Sequence, residues 1–288
     1  MTRVADYLDL VRAPASLTVL GDALIGALAA RGPGAGGAAR GAALAASSVC
    51  LYSAGMAVND WADADLDALE RPERPIPSGR LSRRRALAVG AGLTVTGVGA
   101  AFAAGRASGM VSLALAATLW AYDVVLKPTA AGPVAMAVCR GLDVVLGAAG
   151  PGWRAALLPA GAVAVHTVAV TAVSRGEVSG STRGTGVAAV GASVAVAVST
   201  LVGRSNRPAA LLGATRYLAA VLPGQIAVAR RPGAAEARDA TRAGIRSVVP
   251  LQSALAARAS APLATAALLG VEGAGRLLGR RRSGGDIT

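Results

Sequence analysis

Six of the sixteen acidic residues in this chain fall between positions 60 and 73: Asp60, Asp63, Asp65, Asp67, Glu70 and Glu73. Asn59, Asp63 and Asp67 follow one another at i, i+4 and i+8. On a helix that spacing stacks them on one face, roughly 6 Å apart per step. Two carboxylates and an amide facing one way make a hard-oxygen site of the kind Mg²⁺ prefers, and Mg²⁺ commonly shares itself with phosphate groups. Left alone the carboxylates repel one another, and a cation relieves that repulsion. The plain alternative is a solvated acidic helix end. The next stretch argues against it: Arg71-Pro72-Glu73-Arg74-Pro75-Ile76-Pro77-Ser78-Gly79-Arg80 carries three prolines that stiffen the chain and stop the helix. Its three arginines can each give paired hydrogen bonds to phosphate oxygens. An acidic helix end beside a fixed arginine loop fits a metal–diphosphate group.

The elements that must carry this site are apolar. The chain has 288 residues, 53% hydrophobic and 16% charged, against about 25% charged in a soluble domain. The apolar residues come in blocks, and a helix crossing a bilayer takes about 20 residues. Spans are expected near 14–30, 41–58, 86–104, 108–126, 132–150, 156–173, 185–203, 209–229 and 248–273. An Ala-rich soluble bundle would need a regular polar face on each helix, which most blocks lack. One membrane domain over 1–288 is expected.

Net charge is +13, from 28 arginines and Lys127 alone among lysines. The cations lie in short clusters between blocks, which fits membrane topology and no nucleic-acid partner. The segments after spans two, four, six and eight are the basic ones, so they share one side, expected to be cytoplasmic together with the N-terminus. Arg280, Arg281 and Arg282 disagree with nine spans, and Arg258 makes the last span the weakest. Cys50 and Cys139 lie inside apolar blocks and read as small buried side chains. His166 reads as a buried, hydrogen-bonded helix residue. Arg140 and Asp143 stand one turn apart inside span five, where charge is costly and tends to face a polar cavity. They pair with each other, or Arg140 reaches a substrate.

The run Asn59-Asp60-Trp61-Ala62-Asp63-Ala64-Asp65-Leu66-Asp67, with the arginine–proline stretch through Ser82, resembles the first aspartate-rich motif of the UbiA-type intramembrane prenyltransferases. The resemblance implies an all-α bundle of about nine transmembrane helices around a central cavity, with aspartate motifs after helices two and six and two Mg²⁺ ions holding an isoprenyl diphosphate. The implied reaction moves the prenyl group to a lipophilic acceptor: an aromatic ring, a polyol or sugar hydroxyl, or a lipid head group. Tyr122-Asp123-Val124-Val125-Leu126-Lys127 resembles the family's Y-D-x-x-x-K segment, which implies that Tyr122 and Lys127 meet the diphosphate. The second motif departs. In Ser174–Arg183 only Glu177 is acidic. Metal ligands are therefore expected at Asn59, Asp63, Asp67 and Glu177. Substrate contacts are expected at Arg71, Arg74, Tyr122, Lys127, Arg140 and Arg175. Two other readings stay open: a carrier using Asp22 and Asp143, and a silent member that binds prenyl diphosphate without turnover.

Overall fold

The computed structural model describes residues 3–13, 19–31, 37–202, 207–268 and 270. They form helices joined by loops, with no strand among the described residues. In chain order the helices are α1 (Val4–Leu10), α2 (Leu20–Arg31), α3 (Ala38–Ala62), α4 (Ala64–Glu70), α5 (Arg83–Ala104) and α6 (Arg106–Ala121). After a π-helical turn (Tyr122–Leu126) come α7 (Gly132–Ala148), a 3₁₀ turn (Trp153–Ala156), α8 (Leu157–Ser174), α9 (Arg183–Ser199), α10 (Arg207–Arg230) and α11 (Ala234–Arg258).

Helices α3, α5, α6 and α7 surround one apolar core, formed by Leu44, Leu51, Ala101, Leu115, Leu119 and Leu146. Helices α8 to α11 surround another, with Val163, Val196, Tyr217, Val221, Leu251 and Leu255. Helices α2 and α7 belong to the seam, because Ile25 and Val144 pack into the second core. The seam is close. A methyl added at Gly26 would overlap the Val144 carbonyl, and one at Gly147 would overlap that of Ala23. Inside a membrane, where lipid is as apolar as leucine, such backbone approach supplies the packing that holds helices together.

Five helical segments are long and apolar enough to cross a membrane: Ala38–Ala62, Arg83–Ala104, Arg106–Leu126, Trp153–Ser174 and Arg207–Arg230. Leu20–Ala30 and Arg183–Ser199 are shorter apolar helices. Eight of the nine expected blocks coincide with a helix, although length and composition do not by themselves carry a count of nine. The ninth differs. Expected at 248–273, it is instead the second half of α11, which begins at Ala234 and stops at Arg258. Ser260 then takes a left-handed φ of 57°, and helix resumes at 262–268. Arg280, Arg281 and Arg282 lie outside the described residues.

The loops after α3, α6, α8 and α10 meet one another. Lys127 pairs with Asp63, and Arg175 donates to the carbonyls of Thr129 and Pro128. Arg238 donates to the Glu177 carbonyl at 2.6 Å, and the Ser181 N–H to that of Pro232 at 2.8 Å. The four basic segments therefore do share one face. His166 is buried and shares a 3.0 Å hydrogen bond with the Tyr217 hydroxyl, as expected of a structural histidine. Cys139 is buried, Cys50 is half-buried, and both are free thiols.

Candidate active site

The acidic segment begins on the last turn of α3. Asp63 closes that helix at φ −86°, ψ 4° and leads into α4. The i→i+4 backbone bonds run on through the junction, from Asp63 N–H to Asn59 at 2.9 Å and from Asp67 N–H to Asp63 at 2.8 Å. The backbone thus keeps the expected stack, but the side chains divide between two ionic groups.

The first group is only partly open to the surface, since its Asp123 is buried. Asn59 and Asp63 are half-buried. The Asn59 amide donates to Asp123 at 3.2 Å, and Lys127 bonds Asp63. Asp123 and Lys127 both come from the π-helical turn, which closes on a 2.8 Å bond from the Lys127 N–H to the Tyr122 carbonyl. Such one-turn bulges add a residue to the helix and re-aim its side chains, often at functional sites. Tyr122 is buried beside them.

The second group is closed. Arg74 reaches Asp60 at 3.2 Å and Asp67 at 2.7 Å, and Arg12 reaches Asp60 at 3.4 Å. Asp60 and Asp67 are nearly inaccessible. Arg74 therefore holds two carboxylates instead of presenting itself to a phosphate. The proline loop keeps it there: Leu81 is buried with Leu10, Ala57 and Ala86, and its N–H bonds the Pro75 carbonyl at 2.9 Å. Ser82 caps α5 by accepting from the Arg85 N–H at 3.3 Å. On the outer side of the loop Arg80 clasps Asp6 at 3.1 Å and Asp9 at 2.9 Å. The Arg3 backbone N–H, then Arg80, hold the Asp6 carboxyl below its ordinary value. Asp9 and Asp6 in turn raise Arg80.

The other expected residues are placed differently. Glu177 lies half-buried in the turn after α8. Arg175 is spent on the Thr129 and Pro128 carbonyls, so it ties two loops together. Arg140 pairs with Asp22 at 2.9 Å and not with Asp143. Asp143 accepts from Ser48 at 2.8 Å, because α2 and α3 each bring a polar partner to α7. Arg71 is half-buried at the end of α4, its N–H on the Asp67 carbonyl at 2.8 Å.

Sequence reasoning missed Asp123 as a member of the site. Its signal was present, since it sits within the Tyr122–Lys127 segment. Arg12 carried no signal, because its meeting with Asp60 depends on how α1 docks. Among the described residues no three His, Cys, Asp or Glu side chains form a metal-holding group. The donor chemistry at the open group nonetheless fits Mg²⁺. Asn59, Asp63 and Asp123 are hard-oxygen ligands, and a cation, the Lys127 ammonium, already stands on Asp63.

A model of the UbiA prenyltransferase family matches residues 19–176, more than half of the chain. The chain belongs to that family. It is similar to a digeranylgeranylglyceryl phosphate synthase of Korarchaeum cryptofilum (strain OPF8), 38% identical over 79 residues, which are 27% of this chain and 28% of that protein. The matched part of a relative of the same description from Methanoregula boonei is 44% of its length, so the likeness spans less than half of these relatives. The fold is shared with a UbiA homolog from Aeropyrum pernix K1, with a TM-score of 0.65 and 20% identity over 83% of this chain and 96% of that one. A UbiA homolog from Archaeoglobus fulgidus bound to DMAPP and Mg²⁺ has a TM-score of 0.54 and 16% identity, over 82% of this chain and 86% of that one. The all-helical fold and the family are therefore as the sequence led one to expect, and the chain is an integral membrane protein.

Proposed function

We propose that this protein transfers a prenyl group from an isoprenyl diphosphate to a lipophilic acceptor dissolved in the membrane. The observation that carries this reading is the convergence of Asn59 and Asp63 from the end of α3 with Asp123 and Lys127 from the π turn, beside an arginine loop.

Asn59 and Asp63 would hold Mg²⁺, with Asp123 adjoining; Asp67, which Arg74 holds in this structure, and Glu177, in the turn after α8, are the further ligands that the family resemblance implies. Bound there, Mg²⁺ supplies Lewis-acid neutralisation of the leaving diphosphate. Lys127 leaves Asp63 for a phosphate oxygen, and Arg71 adds hydrogen bonds that strengthen as the leaving group gains charge. Arg74 keeps Asp67 in place. The C1–O bond breaks with its electron pair on the diphosphate. The acceptor then bonds to C1 and loses a proton. The apolar bundle keeps water from the allylic cation in between. The relatives' description makes a glycerol-derived alcohol the first acceptor to try. The site's loops, and with them the N-terminus, face the cytoplasm.

The test is Mg²⁺-dependent binding of a non-hydrolysable geranylgeranyl diphosphate analogue to the detergent-purified chain, beside Asp63→Asn. Binding that needs Mg²⁺ and is lost in the folded variant supports the site. Equal binding by both proteins overturns it. One observation favours a second reading, a silent prenyl-diphosphate binder: Lys127 and Arg74 already hold Asp63 and Asp67. Mg²⁺-dependent binding without a prenylated product from any alcohol or aromatic acceptor would select it.

A further inference from the structure

The proline loop serves two sides. Arg74 holds Asp60 and Asp67, whereas Arg80 turns to α1. Between α1, the loop and the first turn of α5 lies an open-mouthed cavity of about 650 Å³, within the common range of ligand pockets, about 300–1000 Å³. Arg3 and Asp6 line it from α1, Ser78 and Arg80 from the loop, and Ser82 and Arg85 from the start of α5. Asp6 is the one acid on this wall, and Arg80 clasps it at 3.1 Å. Asp9, the Ser78 hydroxyl and the Glu73 carbonyl hold Arg80 as well, so Arg80 builds the wall. Arg3 and Arg85 are then its surplus positive charge. Each guanidinium can give paired hydrogen bonds to a phosphate. The Ser82 hydroxyl accepts from the Arg85 N–H at 3.3 Å and can donate its own proton to an anion.

The surroundings of the cavity say which phosphate. Arg83–Ala104 is long and apolar enough to cross a membrane, so Arg85 stands where α5 enters the bilayer. From Arg85 an exposed stripe runs along α5 in alternating steps of three and four residues: Ala88, Gly92, Val95 and Gly99. A methyl added at Gly92 or Gly99 would meet nothing within 4 Å, so the stripe is low and open. Arg85 to Gly99 is roughly 21 Å at the helical rise, enough to cover one leaflet of a hydrocarbon core about 30 Å thick. On the other wall α1 exposes Val4 and Leu8, one turn apart, an apolar edge that belongs at a membrane interface. A basic cavity at the membrane surface, continued by an apolar strip one leaflet deep, matches a molecule with a phosphate head and an acyl chain.

We infer that the cavity between α1, the proline loop and α5 binds the phosphate headgroup of an anionic membrane phospholipid, with an acyl chain along the α5 stripe. The site is separate from the diphosphate site, and the inference does not rest on the proposed reaction.

The test is native mass spectrometry of the full chain in detergent, without Mg²⁺, with phosphatidic acid or with diacylglycerol of the same chains. Phosphatidic acid should be retained at least fivefold more than diacylglycerol. Arg3→Gln and Arg85→Gln should each lower its retention about fivefold, the effect of one arginine beside an anionic headgroup. Arg84→Gln removes the same charge from an exposed neighbour off the cavity wall and should leave retention unchanged. Lys127→Gln should also leave it unchanged, which separates this site from the diphosphate site. Inorganic phosphate at the lipid's concentration should not displace the lipid. Its displacement would assign the cavity to a soluble phosphate and overturn the inference. Equal retention of the two lipids overturns it too, as does an equal loss in Arg84→Gln and Arg85→Gln, or a loss confined to Lys127→Gln. If Arg85→Gln does not fold, Arg3→Gln decides on the same criterion.

Discussion

A guanidinium held between two buried carboxylates has asymmetric energetics. Removing all three charges together can cost little, whereas removing one partner strands the others without water. Arg74 stands in that position between Asp60 and Asp67. Arg74→Ala should destabilise the folded chain by about 3–5 kcal/mol, read as an early thermal transition in detergent. Arg74→Met with Asp60→Asn and Asp67→Asn should recover most of the loss. Asp123 calls for a different experiment, because it shares the amide of Asn59. Asp123→Asn should leave the melting temperature near wild type yet weaken binding of the diphosphate analogue at least tenfold at limiting Mg²⁺. An unchanged titration would remove Asp123 from the site. The sequence made Asn59, Asp63 and Asp67 legible because helical spacing is local information. It could not show that Asp67 turns to Arg74 while Asp63 turns to Lys127. That choice depends on where a rigid loop and a π turn arrive in space.

At the scale of elements, α1 and the proline loop are joined by charge. Asp6 lies below its ordinary value of 3.8, so its bond to Arg80 contributes stability above that pH and loses it as pH falls through the lower folded value. Hydrogen exchange in residues 4–10 should therefore stay slow at neutral pH and quicken only in acid below about 3.8. Asp6→Asn should abolish the step. A step of the same size in the variant would assign it elsewhere. The α2–α7 seam permits a second test. Gly147→Val should sharply reduce the yield of folded protein, because the side chain would meet the Ala23 carbonyl, whereas Gly161→Ala, in open space, should not. The helices themselves were readable from blocks of apolar residues. The true start of α11 was not, because Ala234–Arg246 is helical but polar and lacks the composition that marks a span. The Asp22–Arg140 pair was equally hidden, since no periodicity links residues so far apart in sequence.

For the whole molecule, the four basic loops lie on one face, as Lys127, Arg175 and Arg238 show by reaching across to neighbouring segments. With Cys50 and Cys139 replaced by Ser, single cysteines at Glu70, Ala130 and Ser179 should react with an impermeant maleimide from one side of sealed vesicles. A cysteine at Trp153 should react from the other. The expected reactive side for the first three is cytoplasmic, and labelling of these three from opposite sides would contradict the arrangement.

Four of the hydrogen bonds joining those loops end on main-chain oxygen: the carbonyls of Thr129, Pro128 and Glu177 accept from Arg175 and Arg238, and that of Pro232 accepts from the Ser181 N–H. A carbonyl is the same whatever side chain the residue bears. The receiving side of each link is therefore indifferent to sequence drift. The loop after α8 can exchange aspartates for serine, glycine or arginine and still be held where it is, so a change of chemistry there need not cost the rim its shape. Grafting the 176–181 segment of an acid-rich relative into this frame, with Arg175 and Arg238 retained, should give a folded chimera.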